Sequence, residues 1–199
     1  MTSQEADLVR RCRSGEEAAF RQIVQRYERP IYYLAWRMVA NDEDARDIAQ
    51  ETFIKAFRAL DTFDETRSFS AWINRIAVNL SYDLLRKRRH RMVSIHEDPE
   101  DPDRRPPILV DGRDLPDGHL EKTRGQERLE AICERLSPPY RIVIHLRYIQ
   151  QLSYEEIADV LEMPLNTVKA RLFRAHRTIQ SWIENRTAPE PARDLDHGG

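Results

Sequence analysis

Between His96 and Asp117 the sequence runs HEDPEDPDRRPPILVDGRDLPD, with eight acids, three bases and five of the chain's eleven prolines. So little apolar surface cannot offset the entropy of ordering, and proline is excluded from helix interiors and central strands. A chain of 199 residues interrupted there cannot close one core across its middle. The expected organisation is a helical domain over 1–95, an acidic proline-rich linker over 96–124, and a second helical domain over 125–186. The tail over 187–199, TAPEPARDLDHGG, shares the linker's composition and is expected to be disordered.

The overall charge of −2 argues against nucleic-acid binding until its distribution is considered. The His96–Asp117 segment carries −5 and the tail −2, which leaves +5 on everything else. Positive charge gathers in RKRRHR at 86–91, and in Met163–Arg186, where Lys169, Arg171, Arg174, Arg177 and Arg186 face one acid, Glu184. Two basic segments on two helical units suggest a polyanionic partner. No segment reaches the roughly 20 apolar residues of a membrane span, and the N-terminal stretch lacks the apolar run of a signal peptide. The expectation is a cytoplasmic protein without membrane insertion. Cys12 and Cys133 stand far apart with no Cys or His at a metal spacing, so neither a metal nor another cofactor is expected.

A hydrophobic share of 40% beside a charged share of 33%, with only six glycines, suits an all-α fold of charged helices around modest cores. The periodicity agrees. It predicts a short helix over Glu5–Arg13, a break at Ser14–Gly15, and a long helix over Glu16–Val39 whose stripe is Phe20, Ile23, Val24, Tyr27, Ile31 and Leu34. Pro30 should bend that helix. A third helix starts from Asn41 and Asp42 and runs to about Leu60, with Ala45, Ala49, Thr52, Ala56 and Leu60 inward and Phe53 and Phe57 on a shoulder beside Arg46 and Gln50. A fourth spans Ser68–Arg89, with Phe69, Trp72, Ile73, Ile76, Leu80 and Leu84 as its stripe and Arg75, Asn79 and Arg86 elsewhere.

After the linker, helices are expected over Gln126–Leu136 and Pro138–Gln150, the latter capped by Ser137. Ser153 and Glu156 form a capping box, Leu161–Met163 a turn, and Pro164 opens another helix. Ile157, Ala158 and Leu161 face Val168, Leu172, Ala175 and Ile179, the arrangement of a helix-turn-helix. Its outer face presents Asn166, Thr167, Lys169, Ala170, Arg171, Phe173, Arg174 and Arg177. Arginine reads guanine bidentately, a small residue permits close approach, and phenylalanine meets a thymine methyl.

The segments DARDIAQETFIKAFRALDTFDETRSFSAWINRIAVNLSYDLLRKRRH and LSPPYRIVIHLRYIQQLSYEEIADVLEMPLNTVKARLFRAHRTIQ, in that order, resemble regions 2 and 4 of the extracytoplasmic-function (ECF) sigma factors of bacterial RNA polymerase. The resemblance covers nearly all of the chain outside the linker and tail. It implies a non-catalytic protein that directs core polymerase to promoters. Arg46, Asp47, Gln50, Phe53 and Phe57 would meet the clamp of the polymerase's largest subunit. Asp61, Phe63, Asp64, Arg67 and Phe69 would build a pocket for an extruded base of the -10 element. Arg75, Asn79, Arg86, Arg88 and Arg89 would track the adjacent strand. The helix-turn-helix would read the -35 element in the major groove. His176 stands where members often carry arginine. An anti-sigma factor is a further expected partner.

A different class of function also fits the residues: a stand-alone helix-turn-helix regulator in which Phe53 and Phe57 form a dimer seam. An enzyme fits poorly, because the six histidines are scattered and no glycine-rich phosphate loop is present.

Overall fold

The structure is a computed structural model describing residues 3–93 and 135–187. The linker, most of the expected Gln126–Leu136 helix, Cys133, most of the tail, and the side chains of Arg89 and Arg186 lie outside the described residues. Among those described there is no strand, and the order is α1 (Ser3–Arg13), α2 (Glu17–Val39), α3 (Asp42–Arg58), a 3-10 turn (Leu60–Thr62) and α4 (Phe69–Val93), then α5 (Pro138–Ile144), a π-helical turn (His145–Ile149), α6 (Tyr154–Leu161) and α7 (Leu165–Thr187).

Local chemistry sets the boundaries. Gly15 takes φ +82, a conformation that a side chain would strain, and turns the chain from α1 into α2. Helix α2 continues through Pro30 to a left-handed cap at Ala40. The Asn41 side chain accepts from the Asp44 amide at 3.0 Å, and Asp42, Glu43 and Asp44 place their charge at the positive end of α3. Both halves of the predicted capping box form. The Ser153 amide donates to Glu156 Oε2 at 2.6 Å, and the Glu156 amide donates to Ser153 Oγ at 3.1 Å. Ser137 occupies the N-cap of α5 without a side-chain bond.

The first unit packs α2, α3 and α4 around Ile23, Ile31, Leu34, Phe53, Phe69 and Ile73. Three placements differ from the periodicity. Phe20 is exposed and stacks on Phe57 with ring centroids 3.6 Å apart. The buried strip of α4 is rotated towards Ala77 and Val78, and takes in Asn74 and Ser81, leaving Ile76, Leu80 and Leu84 half-buried. Both polar intruders bond to the preceding turn: Asn74 Nδ2 donates to the Ser70 carbonyl and Ser81 Oγ to that of Ala77, each at 2.8 Å, while Asn74 Oδ1 is buried without a partner among the described residues. Third, the helix expected over Pro138–Gln150 is α-helical only to Ile144 and widens into the π turn.

In the second unit, Ile142, Leu146, Ile157, Leu161, Val168 and Leu172 form the core under the helix-turn-helix. The turn closes with Glu162 at φ 47 and the Met163 amide donating to the Ala158 carbonyl at 3.0 Å. The two units touch: α5 and the π turn rest on α2, and α6 rests on α4.

Because the capping box satisfies two amides at the start of α6, Ser153→Ala is expected to lower stability by about 1 kcal/mol. Thermal denaturation of the full chain followed by circular dichroism checks this. An unchanged midpoint would show that neighbouring packing, rather than the cap, fixes that end.

Candidate nucleic-acid interface

The loop between α3 and α4 is built on aromatic rings. Phe63 contacts Phe69 edge-on at 5.4 Å and Trp72 at 5.0 Å, while Tyr27 of α2 meets Phe69 at 5.5 Å. Phe63 and Phe69 are 4% and 0% exposed. Both rings form the floor of the loop, beneath the rim where the base pocket is expected. Trp72 is half-buried against the same cluster.

Arg13, at the end of α1, holds this loop from the other side. Its guanidinium donates to the Leu60 carbonyl at 3.0 and 2.9 Å, to the Phe63 carbonyl, and to Glu65 at 2.5 Å. One side chain thus partners the Phe63 carbonyl and adds to the Leu60 carbonyl, which already accepts the Phe63 amide at 3.1 Å within the 3-10 turn. Sequence reasoning missed Arg13, which only the tertiary fold brings to a loop some fifty residues away. Asp61, Asp64 and Arg67 are exposed along the rim. Asp64 accepts from the Thr66 hydroxyl at 2.7 Å and amide at 2.9 Å, and these bonds hold its carboxyl below the usual range.

Helix α4 presents Arg75, Asn79, Arg86 and Arg88 to solvent. Each of the three arginines has an acid: Arg75 pairs with Glu162 of the second unit at 3.2 Å, Arg86 with Asp83 at 2.5 Å, and Arg88 with Asp44 of α3. Exposed pairs of this kind are worth about 0–1 kcal/mol, so a phosphate can displace the carboxylate.

On α7, Asn166, Lys169, Ala170, Phe173, Arg174 and Arg177 are exposed, Phe173 at 62%, while Thr167 and Arg171 are half-buried. Asn166, Thr167, Ala170, Arg171 and Arg174 share an open groove of about 580 Å³ with Ser137, Pro139 and Tyr140 at the start of α5. The structure therefore brings all eight predicted residues onto the helix that starts after the turn. It adds a contact the sequence did not signal: His176 Nε2 lies 2.7 Å from the Tyr148 hydroxyl.

On α3, Arg46, Asp47 and Gln50 are exposed, with Arg46 paired to Asp42 at 2.8 Å. Phe53 is only 8% exposed, so its place on an open shoulder is corrected: it belongs to the core. The open apolar surface is Ile54, 37% exposed, beside half-buried Phe57 and exposed Phe20. Arg46, Gln50, Ile54 and Phe57 follow one another at spacings of four, four and three, which is one helix face. That spacing was the available signal for Ile54. Among the described residues, no acid, His and Cys cluster suits a metal, and no helix is long and apolar enough to cross a membrane.

Comparisons with known proteins align with this geometry. The model of Sigma-70 region 2 matches residues 23–91, and that of Sigma-70, region 4 matches residues 126–179. The chain is 34% identical to the ECF RNA polymerase sigma factor SigW of Bacillus subtilis, over 89% of this chain and 95% of that protein. It is 33% identical to the RNA polymerase sigma-H factor of Pseudomonas aeruginosa, over 92% and 97%. Among solved structures it resembles CnrH in complex with the cytosolic domain of CnrY, with a TM-score of 0.56 and 27% identity over 90% of this chain and 97% of that one.

Removing the Arg13 clamp takes away the bond to the Phe63 carbonyl and the ion pair with Glu65. Arg13→Ala is expected to lower stability by about 1–3 kcal/mol and to speed amide exchange at residues 60–67 more than in α7. Uniform exchange changes across both units would contradict a local role.

Proposed function

The chain belongs to the ECF sigma factors of the sigma-70 family, which direct core RNA polymerase to promoters, and we propose how its surfaces divide that work. Residues 1–95 bind core polymerase and the -10 element, 125–186 bind the -35 element, and 96–124 connect them. The chain catalyses no reaction and acts in the cytoplasm beside the polymerase. The observation that carries this assignment is the exposed basic face of α7 on a capped helix-turn-helix, together with a separate polar-apolar face on α3.

The α3 face of Arg46, Asp47, Gln50, Ile54 and Phe57 suits a helical protein partner. Ile54 and Phe57 supply apolar area to be desolvated, and the polar residues fix register. This face is assigned to the clamp of the largest subunit. Phe53 supports it from beneath.

The rim of Asp61, Asp64 and Arg67 receives the unstacked strand of the -10 element. Phe63 and Phe69 keep the rim rigid, which limits the ordering entropy lost on binding. Arg75, Asn79, Arg86 and Arg88 then take phosphates, each arginine exchanging a weak carboxylate pair for a stronger phosphate contact.

On α7, Lys169, Ala170, Phe173 and Arg174 enter the major groove of the -35 element, and Arg177 meets the backbone. The groove between α5 and α7 admits one flank of that backbone past Thr167 and Arg171. CnrH was solved with the cytosolic domain of another protein, CnrY. An analogous cytosolic anti-sigma segment is proposed as a regulator of this chain.

Arg174→Ala holoenzyme is expected to lose about 1–3 kcal/mol of discrimination at one -35 position. Arg177→Ala weakens all promoters alike and flattens the salt dependence of binding. Binding to single-base -35 variants at several salt concentrations checks both, and an equal loss on every variant for Arg174→Ala would contradict the assigned reading face. Gln50→Ala and Ile54→Ala are expected to weaken association with core polymerase at unchanged melting temperature. Phe53→Ala should instead cost about 3–5 kcal/mol of stability. Native affinity for core in both surface variants would move the interface off α3.

A further inference from the structure

The last turn of α1 lies outside residues 23–91, the stretch that matches Sigma-70 region 2, yet it grips the loop between α3 and α4 at two points. Arg13 donates to the Phe63 carbonyl from Nη2 and to Glu65 Oε1 from Nη1 at 2.5 Å, while Arg10 Nη1 pairs with Glu65 Oε2 at 3.5 Å. Both carboxylate oxygens of Glu65 are thus held, each by a different arginine of one helix. Asp64, on the rim, stands between the two gripped residues. We propose that α1 is part of the apparatus that selects the -10 base, with Arg13 as a positioning residue that sets where Asp64 presents its carboxylate.

Arg13 is committed to the loop rather than to DNA. A guanidinium has five N–H donors, and four bonds are made here: Nε and Nη2 to the Leu60 carbonyl at 3.0 and 2.9 Å, Nη2 again to the Phe63 carbonyl, and Nη1 to Glu65. Its side chain is 24% exposed, which leaves little of it to meet a phosphate. The Phe63 ring is held at the same time, by Phe69 at 5.4 Å and Trp72 at 5.0 Å, so this residue is fixed at both its side chain and its carbonyl. Asp64 follows it directly, and the ion-paired Glu65 comes next. With a fixed residue on either side, Asp64 has little freedom to turn away, the kind of support that a binding group needs from its neighbours.

A clamp positions another group only if it is itself braced. Helix α1 buries Leu8 and Val9, and both of its ends are tied down. In the first turn Glu5 accepts from the hydroxyl of Tyr27, whose ring meets Phe69 at 5.5 Å. In the last turn Arg11 donates to both oxygens of Glu16 across the Gly15 corner, at 2.5 and 2.8 Å. The helix is therefore linked through Tyr27 to the aromatic floor of the loop, and through Arg13 to the residues beside its rim.

The consequence for DNA rests on the rim of Asp61, Asp64 and Arg67 receiving the -10 strand. The Thr66 amide and hydroxyl both donate to Asp64 Oδ1, at 2.9 and 2.7 Å, which leaves Oδ2 as an acceptor at an exposed site. A carboxylate accepts from the exocyclic amine of an unpaired base, and thymine has no such amine. A displacement of about 1 Å is enough to lose a hydrogen bond. An arginine that never touches DNA therefore governs which base the rim accepts.

The test uses holoenzyme assembled from core polymerase and the full chain. On a promoter fragment that the wild-type holoenzyme transcribes, competition binding is measured for every single-base change in the -10 and -35 elements, and the salt dependence is measured on the parent fragment. Arg13→Ala and Glu65→Ala are each expected to lower the preference for an amine-bearing base at one -10 position by about tenfold. Both should leave the ranking of -35 variants unchanged and keep the wild-type salt slope, since no phosphate contact is lost. Asp64→Ala removes the preference outright, and adding Arg13→Ala to it costs no further discrimination, because the clamp acts through that carboxylate. Ile31→Val, which loosens the core of the same unit without touching the clamp, should leave the -10 preference intact. A flattened salt slope in Arg13→Ala, an equal loss on every -10 variant, a further loss in the double variant, or the same loss in Ile31→Val would each overturn the proposal. Preference kept in Arg13→Ala and Glu65→Ala but lost in Asp64→Ala would overturn the positioning role alone. Wild-type preference in Asp64→Ala would instead show that the rim does not receive the base, and the proposal would fall with that assignment.

Discussion

Phe69 has no exposed surface, and the loop between α3 and α4 depends on its burial. Tyr27 approaches it from α2, Phe63 from the loop and Trp72 from its own helix, so one ring ties together elements far apart in sequence. Arg13 completes the arrangement by bonding the loop's carbonyls from α1. A loop that must receive a flexible single strand gains from being rigid before the strand arrives, because less ordering entropy then opposes binding. The aromatic residues of this loop pack against one another beneath its rim.

Above that rigid floor the electrostatics are adjustable. The described arginines of α4 are paired with carboxylates at exposed sites, where a pair contributes little and exchanges readily. This matters for a chain whose overall charge is −2. Arg75, Arg86 and Arg88 are each held by a carboxylate whose hold is weak. The pair between Arg75 and Glu162 differs in that its acid comes from the second unit. The arrangement of the two units therefore bears on how much positive surface the first presents.

Much of this was legible in the sequence. The capping box at Ser153 and the helix-turn-helix spacing are local signals, and local chemistry forms them. The exposed basic face of α7 was readable for the same reason. What failed was the assignment of apolar residues between face and core. Phe53 was placed on a shoulder and is buried, while Phe20 was placed in the inward stripe and is exposed. A helical wheel gives the angle of a side chain but not where the neighbouring helix sits. Arg13 was missed because its bonds cross some fifty residues, whereas Ile54 was overlooked although its spacing with Gln50 and Phe57 was readable.

The account holds that this chain gives core polymerase its choice of promoter through two separately folded DNA surfaces. The most direct measurement is transcription by purified core RNA polymerase on a set of genomic promoter fragments, with and without the full chain. The account predicts discrete transcripts from a subset of fragments only when the chain is added, none from the chain alone, and loss of those transcripts when either the -10 or the -35 segment is scrambled. Transcript patterns identical with and without the chain, from a preparation that still binds duplex DNA by itself, would contradict it.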